Sequence, residues 1–215
     1  MSQVALVVIA KSPEPGRSKT RLCPPFTPEQ AAILAEAALR DTLTAVAAAP
    51  ARRRVLALDG EPGPWLPRGF ELVDQRGDGL GERLGHALAD AGGPGLVVGM
   101  DTPQLSPALL ASGARALRRP RTDAVLGPAL DGGYWTIGLR EPEPAVFEGV
   151  PMSSQRTCEV QRRRLAELGL RVATLPRMRD VDTIEDAHAV ARACPGSVFA
   201  AAVDAQLRAA ELSPA

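Results

Sequence analysis

Short apolar runs alternate with amphipathic segments along this chain, and the alternation predicts its secondary structure. Short, mostly apolar runs predict strands at 4–9, 55–58, 70–73, 96–100, 124–126, 134–139 and 171–175. Longer segments with helical spacing and start signals predict helices at 28–49, 80–91, 106–117, 155–168, 183–192 and 197–212. This order predicts an α/β fold, with a mostly parallel central sheet flanked by helices. No repeat or linker interrupts the pattern, so we expect a single domain over residues 1–215.

A basic loop follows the first predicted strand, at residues 10–22. It contains Lys11 and Lys19, the only two lysines of the chain, whereas every other basic residue except two histidines is an arginine. Lysine presents a compact ammonium on a flexible stem, which differs from the planar fork of arginine. Ligands of parallel sheets bind at the carboxyl ends of strands, and a basic, glycine-containing loop there is typical of phosphate sites. The loop therefore predicts phosphate binding, although a charged surface turn would have the same composition.

Aspartates follow two other predicted strands. Asp101 comes directly after a buried strand, where it would serve as a Mg²⁺ ligand or as a turn residue before the next helix. Asp180 and Asp182 follow the last predicted strand. A capping box between Thr183 and Asp186 explains part of this acidity, but it does not require the other two aspartates. Aspartates from distant parts of the chain, together with a lysine loop, suit phosphoryl chemistry.

Two further segments are candidates for ligand contacts. The sequence Asp131-Gly132-Gly133 separates two predicted strands, and its glycines allow a backbone to approach a ligand closely. The same residues form a strong hairpin-turn signal, and both interpretations are compatible. Ser153 precedes a predicted helix, where its hydroxyl would either bind an anionic group of an acceptor or cap the helix.

Composition excludes several other functions. The chain has 25 basic and 25 acidic residues, so no net charge attracts nucleic acid or an anionic membrane, and aromatic residues are only 3%. Three widely spaced cysteines form no zinc pattern, and without a signal peptide they predict a cytoplasmic protein. No apolar run is long enough to span a bilayer. We therefore expect small-molecule partners, and the Ala-rich helices suggest a homodimer.

Four motifs, in this order, resemble the DUF2064 family of the glycosyltransferase A (GT-A) superfamily: they lie at 10–22, 99–103, 127–134 and 180–186. A more distant similarity runs to 2-phospholactate guanylyltransferases, through Lys-Thr-Arg-Leu at 19–22, and to sugar-acid cytidylyltransferases, through the last motif. One departure is Met-Ser-Ser at 152–154, where the family commonly has Trp-Ser-Thr. The resemblance implies a GT-A-like fold that binds a nucleotide and a small-molecule acceptor.

The resemblance also implies roles for individual residues. Mg²⁺, or Mn²⁺, is expected between Asp101 and Asp182. Asp180 is expected to support these ligands without binding the metal itself. The catalytic residues that we predict are Lys19, Arg21, Asp101 and Asp182. The predicted contacts to nucleotide and acceptor are Lys11, Gly16, Lys19, Thr20, Arg21, Asp131, Gly132, Gly133 and Ser153.

Three functions fit these residues. The first is a Mg²⁺-dependent nucleotidyltransferase that joins an NMP from an NTP to a small acceptor bearing a phosphate or phosphonate and releases pyrophosphate. Lys19 and Arg21 would then contact the β- and γ-phosphates, and Lys11 the α-phosphate. The second is a glycosyltransferase with a nucleotide-diphospho-sugar donor and Asp131 as the base. The third is a nucleotide-binding module without turnover. Two lysines and two arginines in one loop favour the first, because they suit a triphosphate best.

Overall fold

The computed structural model describes residues 3–211, so the predicted end of the last helix at Leu212 lies outside the described residues. The strands are β1 Ala5–Lys11, β2 Arg54–Asp59, β3 Glu71–Asp74, β4 Gly95–Gly99, β5 Ala124–Pro128, β6 Tyr134–Leu139 and β7 Val172–Thr174. The α-helices are α1 Pro28–Ala48, α2 Leu80–Ala91, α3 Pro107–Leu117, α4 Thr157–Glu167, α5 Ile184–Ala193 and α6 Val198–Glu211. Short 3-10 turns lie at Thr20–Leu22 and Pro144–Phe147.

The described strands form one sheet in the order β3-β2-β1-β4-β6-β5-β7. β6 runs antiparallel to both of its neighbours, β4 and β5, and every other pair in the sheet is parallel. The predicted α/β architecture with a mostly parallel sheet is therefore confirmed. Because the parallel strands β1 and β4 lie side by side, the loops after them meet at one edge of the sheet.

Apolar side chains cover both faces of this sheet. Leu6 and Val8 of β1 belong to the core that contains side chains of α1 and α3, whereas Ala5 and Val7 belong to the core that contains side chains of α2. The alternation follows the two-residue period of a strand, whose successive side chains point to opposite faces. A third cluster, around Phe199, joins α1, α5 and α6. Burial on both faces explains why the inner strands β1 and β4 read as continuous apolar runs, whereas the edge strand β3 is largely exposed.

Two side-chain caps fix the start of the last helices. Thr183 and Asp186 form the predicted capping box at the start of α5, directly after the acidic loop. The carboxylate of Asp41, in α1, accepts the backbone N–H groups of Val198 and Phe199, at 3.1 and 2.8 Å, and so holds the start of α6. Among residues 3–211, none of the helices combines the length and the hydropathy needed to cross a membrane.

Candidate functional site

The ends of β1 and β4 bring the lysine loop and Asp101 together. Ile9 lies opposite Gly99 in the parallel register, so the residues that follow the two strands emerge side by side. The side-chain amide of Gln75, directly after β3, donates to the carbonyls of Ala10 and Ala57, at 2.7 and 3.1 Å. These bonds tie the ends of β1 and β2 to the loop after β3, so three strand ends form one wall of the site.

The ammonium of Lys19 lies between the two predicted metal ligands. Its Nζ is 2.7 Å from Oδ1 of Asp101 and 3.6 Å from Oδ1 of Asp182, and it also donates to the carbonyl of Val181. The lysine side chain is only 8% exposed. Two of the three donors of this ammonium therefore bond to Asp101 and to the carbonyl of Val181, and Asp182 adds an ion-pair contact. Lys19 therefore holds the two acidic segments together.

The backbone around Lys19 has an unusual shape that makes this contact possible. Lys19 adopts the left-handed conformation (φ 52°) and precedes the 3-10 turn at Thr20–Leu22, whose Leu22 side chain is buried. Ser18, also buried, donates to the carbonyl of Ser12 at 3.2 Å and thereby closes the loop on itself. A buried leucine and a buried serine thus anchor the loop on both sides of Lys19, which turns its side chain towards the sheet edge.

A small basic cavity lies beside this ion pair. Its volume is about 210 Å³. Arg21 lies at its rim, is 72% exposed and contacts Oδ2 of Asp182 at 3.3 Å. The lining residues are Lys11, Arg17, Ser18, Lys19, Thr20, Arg21, Ala35, Met100, Asp101 and Asp182. Four basic side chains and two hydroxyls around so small a space suit a group with several negative charges, such as a polyphosphate.

A second cavity, of about 700 Å³, continues from the first. The two share five lining residues: Lys11, Arg21, Met100, Asp101 and Asp182. Asp131, Gly133 and Ser153 line the larger cavity, and so do the apolar side chains of Leu80 and Met152. The site is therefore one continuous cleft, with the basic cavity at one end and room for a second small molecule at the other.

The carboxylates of this cleft outnumber the cations that contact them. Oδ1 of Asp180 is buried and has no hydrogen-bond partner among the described residues. Burial and the nearby negative charges of Asp131 and Asp101 together raise the pKa of Asp180 to about 7, against the opposing effect of Lys19. Among residues 3–211, Lys19 and Arg21 are the cations that contact Asp101 and Asp182, so the cluster of four aspartates carries more negative than positive groups.

Gly132 connects the turn between β5 and β6 to the loop before α4. Its φ is 92°, and a Cβ there would lie far inside van der Waals contact with the carbonyl of Gln155. Its own carbonyl accepts the backbone N–H of Cys158 at 2.8 Å, and Asp131 accepts the N–H of Gly133 at 2.8 Å. The loop that Gly132 contacts carries Ser153. A close approach of two backbones, rather than contact with a ligand, accounts for this glycine.

The structure gathers most of the predicted site residues in one cleft. Those that line one or both cavities are Lys11, Lys19, Thr20, Arg21, Asp101, Asp131, Gly133, Ser153 and Asp182. Gly16 and Gly132 line neither cavity: Gly16 is exposed in the loop, with φ 75°. Arg17 and Gln75 line the cleft and were not predicted. The position of Gln75 directly after a strand was the available signal for that residue.

The residues present fit a divalent cation. Within the described part of the chain, no three acidic, imidazole or thiol groups form a metal cluster. Two carboxylates do converge, however, because Asp101 and Asp182 both direct an oxygen at the same ammonium. Mg²⁺ is commonly held by one or two carboxylates, with waters and substrate phosphate oxygens completing its shell. The unpartnered oxygen of Asp180 adds to the demand for positive charge.

Comparison with protein families gives one match. The profile of a family described as an uncharacterized protein conserved in bacteria (DUF2064) matches residues 33–154. This match confirms the family that the motifs predicted. No curated protein matches the chain.

Solved structures with the same fold include transferases. A presumed nucleotide-diphospho-sugar transferase from Desulfovibrio desulfuricans G20 is 28% identical, with a TM-score of 0.86 over 98% of this chain and 99% of the other. CMP:2-keto-3-deoxy-manno-octonic acid synthetase, solved with CTP, is 12% identical, with a TM-score of 0.57 over 88% and 97%. 2-C-methyl-D-erythritol 4-phosphate cytidylyltransferase from Thermus thermophilus is 17% identical, with a TM-score of 0.54 over 96% and 100%. The last two likenesses concern the fold alone, which is that of nucleotide-diphospho-sugar transferases.

Proposed function

The chain belongs to the DUF2064 family, and from the geometry of its cleft we propose that it is a divalent-metal-dependent nucleotidyltransferase. It would join an NMP from an NTP to a small acceptor that bears a phosphate or phosphonate. The observation that carries this proposal is the basic cavity, with four cationic side chains, directly beside the paired carboxylates of Asp101 and Asp182. The similarity to a presumed nucleotide-diphospho-sugar transferase supports a transferase that uses nucleotides.

The basic cavity would bind the triphosphate. Lys19 and Arg21 would contact the β- and γ-phosphates, and Lys11 the α-phosphate; all three line the basic cavity. Charge accumulates on the departing pyrophosphate during transfer. Fixed cations that face that charge stabilise the transition state more than the ground state. These basic side chains would therefore contribute to catalysis as well as to binding.

Asp101 and Asp182 would hold the metal. A bound Mg²⁺ or Mn²⁺ neutralises phosphate charge and orients the reacting groups. The backbone of both aspartates is fixed independently of any metal, because Val181, directly before Asp182, donates its N–H to the carbonyl of Asp101 at 3.0 Å. Their backbone would thus need no rearrangement when a nucleotide binds, which would reduce the cost of organising the site.

The acceptor would occupy the far end of the larger cavity, near Asp131 and Ser153. One oxygen of its phosphate or phosphonate would bond to the α-phosphorus, in line with the bond to the departing pyrophosphate, which breaks. Such an oxygen is already ionised at neutral pH, so no strong base is required. Neither His86 nor His188 lines the two cavities, which agrees with this requirement.

Transfer of a sugar is the second candidate. It is favoured by the similarity to the presumed nucleotide-diphospho-sugar transferase and by the exposed carboxylate of Asp131 at the acceptor end of the cleft. Asp131 would then take a proton from an acceptor hydroxyl. This role needs a free oxygen on Asp131, and one oxygen already accepts the N–H of Gly133.

Pyrophosphate release separates the two candidates. Each of the four NTPs is incubated with Mg²⁺ or Mn²⁺ and a pool of small phosphorylated and phosphonate acids. We expect release with one NTP, and loss of release in Asp182→Asn. Asp204→Asn, which changes an exposed aspartate of α6, is the matched control and should keep full activity. If no NTP yields pyrophosphate and a sugar is transferred from a nucleotide-diphospho-sugar, the protein is a glycosyltransferase and not a nucleotidyltransferase.

A further inference from the structure

Lys19 occupies the position that a metal between Asp101 and Asp182 would need. Its ammonium contacts one of these carboxylates at 2.7 Å and the other at 3.6 Å. Mg²⁺ binds carboxylate oxygens at about 2.1 Å, so the ion and the ammonium cannot share this space. In the proposed function Lys19 also contacts the phosphates, which its ammonium cannot do while it is bonded to Asp101 and to the carbonyl of Val181. The side chain therefore has two mutually exclusive positions.

We propose that Lys19 is an internal counter-ion that competes with the divalent cation. Without ligands its ammonium neutralises Asp101 and Asp182. When metal and nucleotide arrive, the metal replaces the ammonium between the carboxylates, and Lys19 turns into the basic cavity to contact the phosphates. This inference rests on the proposed function, since the nucleotide is what receives the released ammonium.

The charges on each side of Lys19 determine which position it takes. Lys11, Arg17 and Arg21 surround the basic cavity, and their charges oppose the entry of a further cation unless a polyphosphate is bound. On the other side, two carboxylates and the carbonyl of Val181 attract it. A bound polyphosphate makes the net charge of the basic cavity negative, and a bound metal neutralises the carboxylates of Asp101 and Asp182. Both changes move the ammonium in the same direction.

The burial of Lys19 makes this exchange cooperative. Its side chain is 8% exposed, whereas those of Asp101 and Asp182 are 40% and 34% exposed, so leaving the ammonium without a partner is the unfavourable step. Metal alone would leave Lys19 next to three other cations, and nucleotide alone would draw Lys19 away from two carboxylates. Together they give every charge a partner. Metal and nucleotide should therefore each strengthen the binding of the other, and the free protein should bind metal weakly.

The connection of Lys19 to the backbone permits the movement. Its four-carbon stem is flexible, and the residue itself lines the basic cavity that the ammonium would enter. The loop on either side is held by the buried side chains of Ser18 and Leu22. Rotation of the side chain alone, without rearrangement of the loop, is therefore enough to exchange the two positions.

Binding of Mn²⁺ to the nucleotide-free protein, followed by electron paramagnetic resonance, tests the competition. We expect Lys19→Met to bind Mn²⁺ at least about tenfold more tightly than the parent protein. Lys11→Met is the matched control, because it removes the same charge from the same cavity but from an exposed side chain with no ion pair among the described residues. It should change the affinity by less than about threefold. Equal or weaker binding by Lys19→Met, or an equal gain in Lys11→Met, would overturn the proposal.

Chemical modification of the unmutated protein gives a second test that does not depend on the folding of a variant. The chain has only two lysines, so reductive methylation followed by peptide mass spectrometry reports on each of them separately. Without metal, Lys11 should be methylated and Lys19 protected. Saturating Mn²⁺ should expose Lys19. Methylation of Lys19 at the rate of Lys11 without metal, or continued protection of Lys19 when Mn²⁺ is bound, would refute the exchange.

The two levels of the proposal can fail separately. The affinities for Mn²⁺ are measured without nucleotide, so they test the counter-ion role even if no NTP yields pyrophosphate. The absence of pyrophosphate would count against nucleotidyl transfer alone. Conversely, pyrophosphate release together with identical Mn²⁺ affinities in the parent and in Lys19→Met would support nucleotidyl transfer and refute the counter-ion role of Lys19.

Discussion

The backbone N–H of Val181 donates a hydrogen bond to the carbonyl oxygen of Asp101, 3.0 Å away. This bond joins the loop after β4 to the loop before α5, two segments that are far apart in the chain. The carboxylate of Asp182 is therefore held near that of Asp101 by the backbone as well as by Lys19. Side-chain substitutions at either aspartate leave this bond in place, so charge can be removed from the site without separating the two loops.

Asp101→Asn should abolish function while it preserves the fold. The amide keeps the size of the side chain and the bond between the loops, but removes a charge that the metal and Lys19 both require. Loss of an electrostatic contact of this kind typically lowers the rate at least about 100-fold. Pyrophosphate release and the far-ultraviolet circular dichroism spectrum should be measured together. An active Asp101→Asn protein would remove Asp101 from the mechanism.

Much of the fold follows from local patterns. Continuous apolar runs predicted the inner strands because both faces of the sheet are covered there, and the capping box at Thr183 is contained within four residues. The position of Asp101 directly after such a run was enough to place it at the ligand edge. Each of these signals depends only on near neighbours in the sequence.

The contacts inside the site could not be predicted in the same way. Lys19 meets Asp182 from the opposite end of the chain, through a left-handed backbone that is uncommon for a lysine. The positions of these residues in the sequence indicated a phosphate-binding loop and a pair of metal ligands. They did not indicate that Lys19 of the loop lies between the two carboxylates, Asp101 and Asp182. Gly132 was predicted to contact a ligand because glycine allows any close approach, and only the structure identifies the carbonyl of Gln155 as the neighbour.

Gly132→Ala should destabilise the protein more than the backbone conformation alone explains. The new methyl group would overlap the carbonyl of Gln155, in addition to the strain of a left-handed alanine. Gly149→Ala is the control, because Gly149 has a similar φ of 72° and open space around its Cβ position. In urea unfolding we expect a loss of about 1 kcal/mol for the control and at least about 2 kcal/mol for Gly132→Ala. Equal losses would show that the contact with Gln155 is easily relieved.

Tyr134→Phe should cost stability and weaken acceptor binding. The phenol donates to Oε1 of the fully buried Gln161 at 3.3 Å, so its removal leaves an unpaired acceptor. We expect a loss of about 1 to 3 kcal/mol in the free energy of unfolding. Tyr134 also lines the larger cavity, and its hydroxyl lies 3.7 Å from Sδ of Met152. The KM for the acceptor should therefore rise more than the KM for the nucleotide.

The control for Tyr134→Phe is Thr44→Val, which removes the hydroxyl of a threonine on the outer part of α1 that bonds only within its own helix, at 2.8 Å. Its stability should change by less than about 0.5 kcal/mol. If the two variants lose the same small amount, the bond between Tyr134 and Gln161 contributes nothing, and the tyrosine is an apolar wall of the cavity.

Asp123 should make stability depend on pH in the acid range. Arg171 forms two side-chain hydrogen bonds to its carboxylate, at 2.7 and 2.9 Å, and donates its backbone N–H at 3.0 Å. These bonds lower the pKa of Asp123 to about 2. The ionised form is therefore favoured in the folded state. Its stabilisation is complete above the unfolded pKa, near 4, and is lost as the pH falls towards 2.

Asp123→Asn should therefore be less stable than the parent at pH 7, by about 1 kcal/mol once solvent screening of the exposed arginine is allowed for. The difference should shrink steadily below pH 4, as measured by urea unfolding at a series of pH values. Glu167→Gln is the control, because Glu167 contacts Arg163 at 3.6 Å on an exposed face of α4, where an ion pair contributes little. A constant difference between pH 7 and pH 2 would mean that Asp123 acts through packing, since a lost charge interaction must disappear when the carboxylate is protonated in both states.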